Sequence, residues 1–102
     1  MWHEPVNPVP ADHPCLAGHF PGNPIVPGTL ILDRVIELVQ SRYPETEVAE
    51  VVTAKFMQPL LPGQAFEVWG EDKPGQLSFE CRVNGSPVAS GKLALVEAGS
   101  RL

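Results

Sequence analysis

Between Thr29 and Tyr43 the chain carries an apolar run with helical spacing, and this run limits the folds open to it more than any other feature. Placed about 100° apart, Ile31, Leu32, Val35, Ile36, Leu38, Val39 and Tyr43 fall on one broad side. Thr29, Asp33, Glu37 and Gln40 share the other side, with Leu30 as an intruder. An apolar arc this wide, on a helix of about four turns, has to be wrapped, and a curved sheet is the element that wraps a single helix. Pro44 ends the run, because it forces the residue before it into extended geometry.

Beyond Pro44 the period changes to two. Glu47 to Met57 reads as a strand with Val48, Val52, Ala54 and Phe56 on one face, ending before Pro59 and the turn pair Pro62-Gly63. Ala65 to Glu71 sets Phe66 and Val68 against Glu67 and Trp69, then turns at Lys73-Pro74-Gly75. Leu77, Phe79, Cys81 and Val83 alternate cleanly with Ser78, Glu80 and Arg82, the pattern of a half-buried strand. Asn84-Gly85 links it as a hairpin to Pro87–Glu97, where Leu93, Leu95 and Val96 are the core positions. Upstream, Pro5, Pro8, Pro10 and Pro14 exclude a helix over residues 2 to 17 and leave a short edge strand anchored by Trp2, Val6 and Val9.

The expected architecture is therefore α+β: an antiparallel sheet of about five strands wrapped around one long central helix, with residues 1–102 forming a single domain. A chain of this length buries only about two-thirds of its unfolded surface, so a homodimer that hides one more apolar face is expected. Seven basic residues against twelve acidic ones, a net charge of −5 and no cluster of Lys or Arg argue against nucleic acid as a partner. No stretch approaches the ~20 apolar residues that span a bilayer, and Met1 to Pro5 has neither the basic nor the apolar region of a secretory signal. Cys15 and Cys81 are too few for a disulfide framework, and no Cys-x-x-Cys or His-x-x-x-His spacing marks a metal site. Reduced thiols in a cytoplasmic protein, with no metal and no cofactor, are expected.

The chemistry-bearing stretch is Gly18-His19-Phe20-Pro21-Gly22-Asn23-Pro24-Ile25-Val26-Pro27-Gly28. It sets an imidazole in a loop stiffened by three prolines and leads into a helix whose first turn is expected to carry one carboxylate, Asp33. With a reference pKa of about 6.5, a positioned histidine can take a proton near neutral pH. Alone, each residue has a plainer use: a surface histidine, and an acid that caps or solvates a helix start. His3 and His13 lack any comparable context and read as exposed. Cys15 lies four residues before His19, but nothing in the sequence activates it as a nucleophile. Arg34, Lys55, Arg82 and Lys92 read as solvated cations or as a landing site for an acidic partner.

The helix-in-sheet order with Gly18-His19-Phe20-Pro21 and Pro24-Ile25-Val26-Pro27-Gly28 resembles the hotdog-fold 3-hydroxyacyl-acyl-carrier-protein dehydratases. That family carries a His-Phe-Pro-Gly-x-Pro-x-x-Pro-Gly loop, with an acid fourteen residues after the histidine, the place of Asp33. Lys55-Phe56-Met57-Gln58-Pro59-Leu60-Leu61-Pro62-Gly63 is similar to its Lys-Phe-basic-basic-Pro-x-x-Pro-Gly segment. Four departures stand out. The acid is Asp33, as in the branch that also isomerises its product, where the commoner branch has Glu. Met57 and Gln58 replace basic residues, and Gln64 replaces an acid. The N-terminus is short, so the first strand and helix of longer relatives are expected to be absent.

The resemblance implies a hydro-lyase that converts 3-hydroxyacyl thioesters, carried by acyl carrier protein, to trans-2-enoyl thioesters. It implies that His19 removes the C2 proton and that Asp33 assists departure of the C3 hydroxyl, directly or through a water. The backbone N–H of Gly28, at the helix start, is suited to the negative charge that develops on the thioester oxygen. Phe20 and Pro27 are expected near the mouth of the acyl site, and an apolar tunnel is expected around Asp33. His19 and Asp33 of one site are expected to come from different subunits of a homodimer. The same fold also hosts thioesterases and could serve as a non-catalytic acyl-binding subunit, so fold alone does not decide the chemistry.

Overall fold

Element order follows the pattern: β1 (Trp2–Val6), α1 (Gly28–Arg42), β2 (Thr46–Phe56), β3 (Phe66–Lys73), β4 (Gln76–Val83) and β5 (Ser86–Glu97). The computed structural model describes residues 1–10, 12 and 25–98, so His13, Cys15, His19 and Phe20 lie outside the described residues. The strands form one sheet in the order β1-β3-β4-β5-β2, and every neighbouring pair is antiparallel. Tight turns hold it together: Asn84 (φ 50°) and Gly85 (φ 83°) occupy the left-handed region between β4 and β5, as a type I′ hairpin requires.

Helix α1 begins one residue earlier than its pattern indicates, because the amides of Leu30 and Ile31 both reach the carbonyl of Pro27, at 3.0 and 3.3 Å. This corrects the place of Asp33. Counted from Gly28 it is the sixth helical residue, and the first turn carries no acid. Leu30 is also no intruder: it is buried with Ile31, Val35 and Val39. Periodicity missed it because Val9, Val26 and Leu60, from segments outside the sheet, join the same core around the helix. The sheet side of the core comes from Phe66, Val68, Leu77, Phe79, Cys81, Val88, Ala89 and Leu93.

Two departures in the strands come from β-bulges, which add one residue to one strand and shift the faces. Between β4 and β5 the register passes from Cys81↔Ala89 to Arg82↔Pro87, so Val88 is the extra residue and Val88 and Ala89 are both buried. In β2 the register skips Ala49 and Val52. Val51, not Val52, therefore stands opposite Leu93. Val96 pairs with Glu47, one step out of phase with Leu95, and it is Leu95 that packs on the core.

The ends of the sheet differ. Edge strand β1 contains Pro5 and is tied to the helix: the Trp2 Nε1–H donates to the Tyr43 hydroxyl (2.7 Å), while Arg42 stacks on the Trp2 ring and donates to Glu4 (2.8 Å). Gly70, opposite Trp2, leaves the indole its space. Edge strand β2 is held to the helix at its beginning, where Gln40 donates to the Thr46 carbonyl and accepts from the Val48 amide, both at 2.8 Å. Further along, β2 is exposed. Among the described residues no helix is long and apolar enough to cross a membrane.

Cys81 sits at the centre of β4, fully buried. Burial, aided by the neighbouring Glu80 carboxylate, pushes its thiol from 9.0 up to about 12. The unfolded chain therefore ionises first, so the stability from keeping this thiol neutral is complete below pH 9.0 and is lost as pH rises toward about 12. Urea midpoints should fall over that window more in the parent protein than in Cys81→Val; parallel profiles would contradict the assignment.

Candidate active site

Where β2 ends at Phe56, the chain turns across the start of α1 and closes a cleft. The bulge at Val88 makes this possible, since its carbonyl accepts from the amides of both Met57 (2.9 Å) and Gln58 (3.3 Å). On the other wall, the Val26 amide donates to the Leu60 carbonyl at 2.7 Å and fastens the segment before the helix to the segment after β2. Between them lies a cleft of about 520 Å³, lined by Ile25, Val26, Pro27, Gly28, Ile31 and residues 56 to 60. Val26, Ile31 and Leu60 are buried parts of it, whereas Phe56 (47% exposed) and Met57 (39%) stand at the rim.

No ionisable side chain lines the cleft among the described residues. Its low polarity strengthens any interaction with the amides at the helix start, which have no intrahelical acceptor and carry the positive end of the helix dipole. The arrangement suits an apolar acyl chain ending in a group that becomes negative during reaction. Pro27 and Gly28 both line the cleft.

Asp33 is not part of this cleft. Five residues beyond Gly28, it is displaced about 7.5 Å along the helix and about 140° around it, and it is exposed on the single chain. Among the described residues nothing wraps it in an apolar tunnel. Of the four cations, Arg34 is on α1, while Lys55, Arg82 and Lys92 are on the sheet. Arg82 is engaged with Glu80 (3.1 Å) and stacks on Trp69. His3 is exposed, stacks on the other side of the Trp69 indole and meets Glu67 at 3.4 Å.

Sequence reasoning matched Phe56 to Leu60 to a family segment but assigned none of them to the site. The signal available was the pair of prolines, Pro59 and Pro62, which stop β2 well short of β3 and oblige the chain to cross the helix start.

One helix among the described residues, laid on an antiparallel sheet with an apolar cleft at its N-terminus, defines a hotdog fold. The chain belongs to the ApeI-like dehydratase family, whose model, described as ApeI dehydratase, matches residues 6–92. It is similar to the 3-hydroxyacyl-[acyl-carrier-protein] dehydratase FabZ of Actinobacillus succinogenes, with 32% identity over 106 residues that cover 90% of this chain and 71% of the relative. Among solved structures, the dehydratase heterocomplex ApeI:P of Xenorhabdus doucetiae shares the fold at a TM-score of 0.80, with 23% identity over 93% of this chain and 86% of the other. A variant of the fluoroacetyl-CoA-specific thioesterase FlK is more distant, with a TM-score of 0.62 and 13% identity over 95% and 89% of the two chains.

Proposed function

We propose that this dehydratase acts on 3-hydroxyacyl thioesters, carried by acyl carrier protein in the cytoplasm, and that it works as a homodimer of one-domain chains. The observation that carries the substrate is the cleft: apolar, about 520 Å³, and ending at the Gly28 amide. The carrier is supported by the likeness to the 3-hydroxyacyl-[acyl-carrier-protein] dehydratase of Actinobacillus succinogenes.

In this reading His19 takes the C2 proton, and the electron pair left behind spreads onto the thioester oxygen, where the Gly28 N–H donates to it. The pair then returns to form the C2–C3 double bond as the C3 hydroxyl leaves. Asp33 supplies or relays the proton that turns that hydroxyl into water. Phe20 and Pro27 border the entrance.

The homodimer is supported by the contrast between the sheet edges. Strand β2 exposes Val51 (37%), Val52 (45%) and Phe56 (47%), with Met57 beyond its end, an edge that natural sheets cover. A second copy is the occupant that fits, because antiparallel pairing of β2 with itself about a two-fold axis is self-complementary. Asp33, turned away from its own cleft, is then available to the other subunit.

The test is product analysis with a 3-hydroxyacyl thioester and a saturated acyl thioester. An enoyl thioester from the first and no thiol from the second is the expected result. Thiol released from both, with no enoyl product, would establish a thioesterase instead.

A further inference from the structure

Glycine at the first position of α1 is unexplained by its backbone, which does not occupy the left-handed region. The helix would gain from a better helix former there. The reason is space. A Cβ built on Gly28 would lie 2.8, 3.0 and 3.1 Å from three atoms of the Phe56 ring and meet nothing else so closely. Phe56 faces Ala89 across the sheet, on the helix side, and its ring reaches the helix start from the last position of β2. On the single chain the ring is 47% exposed, unlike the buried Val26, Ile31 and Leu60, so it is a part of the cleft that lies outside the core.

We propose that the Phe56 ring, seated on Gly28, is the wall that sets how much bulk the site accepts at the carbon next to the thioester carbonyl. The inference rests on the dehydratase reading, in which the Gly28 amide holds the thioester oxygen. Whatever packs beside Gly28 then lies beside C1 and C2 of the substrate, not beside the far end of its acyl chain. Phe56 therefore selects against a methyl branch at C2 and is indifferent to chain length. A single methyl in an apolar pocket changes selectivity by roughly 10- to 200-fold, which is the range at stake.

The experiment compares straight 3-hydroxyacyl and 2-methyl-3-hydroxyacyl thioesters with the parent protein, Phe56→Ala, Phe56→Leu, Gly28→Ala and the Gly28→Ala/Phe56→Ala double variant. The parent is expected to prefer the straight substrate. Phe56→Ala should raise the branched-to-straight ratio of kcat/KM about tenfold or more, with Phe56→Leu between the two. Gly28→Ala should lose activity on both substrates by pushing the ring into the space the substrate takes, and the double variant, which has no ring to displace, should recover it. Thermal melts and mass in solution confirm that each variant keeps its fold and assembly; if Phe56→Ala does not, Phe56→Leu carries the comparison. An unchanged ratio in folded variants, or a double variant no better than Gly28→Ala, overturns the proposal. A parent protein that forms no enoyl product from either substrate overturns the dehydratase reading itself.

Discussion

Alanine in place of His19 is expected to lower kcat/KM for dehydration by about 10²- to 10⁴-fold, the usual contribution of a positioned acid or base, with no change in thermal stability. The sharper result comes from mixing. If His19 and Asp33 of one site belong to different subunits, His19→Ala and Asp33→Ala are each inactive alone. A mixed dimer, however, has one site with both groups intact and one with neither. Random exchange makes about half of the dimers mixed, so activity should return to about a quarter of the parent value. Recovery of this size requires a site shared between subunits, because no chain in the mixture carries both residues. If the mixture stays inactive while subunit exchange is demonstrated by mass, the shared site is wrong. If His19→Ala alone leaves turnover unchanged, the chain binds acyl groups without catalysing dehydration.

The largest effect on stability is expected from Gly91→Ala. Gly91 pairs with Phe79 on β4 and Ala54 on β2, and a Cβ there would overlap the carbonyl oxygen of Thr53 and come within 2.8 Å of the Phe79 ring. A backbone carbonyl cannot rotate aside as a side chain can, so the methyl has to push β2 off β5. Overpacking of this kind costs about 3 kcal/mol, equivalent to a fall in Tm of roughly 10 °C or more for a domain of this size. Because β2 is the exposed edge, the same change should weaken assembly. Differential scanning calorimetry and mass in solution read both effects, and a Tm equal to that of the parent would show that β2 and β5 are further apart than described.

Local patterning made much of the architecture legible. The single helix, the switch to period two after Pro44, and the Asn84-Gly85 hairpin all follow from interactions within a few residues, and each appears within one or two residues of its expected place. The errors share a cause. Leu30, Val52 and Val96 were misplaced because burial at those positions depends on what other segments do: Val9 and Val26 closing around the helix, and bulges that exchange the faces of β2 and β5. Strict alternation holds only while strands keep one residue opposite one residue, and a bulge changes that count without leaving a clear mark in composition.

The site divides along the same line. His19, Pro27, Gly28 and Asp33 were singled out because a rigid Pro/Gly loop, a titratable ring and a helix-borne acid are chemical facts carried by residue type and spacing. Of the cleft itself the sequence alone indicated only the Pro27-Gly28 wall. That Phe56 and Leu60 supply the facing wall, some thirty residues along the chain, depends on the Val88 carbonyl and on the bond from Val26 to Leu60. That Asp33 faces away from its own cleft depends on where the helix starts, a matter of one turn of hydrogen bonds. Residue identity determined which groups could react; the long-range hydrogen bonds and packing of the folded chain decided which of them share a cavity.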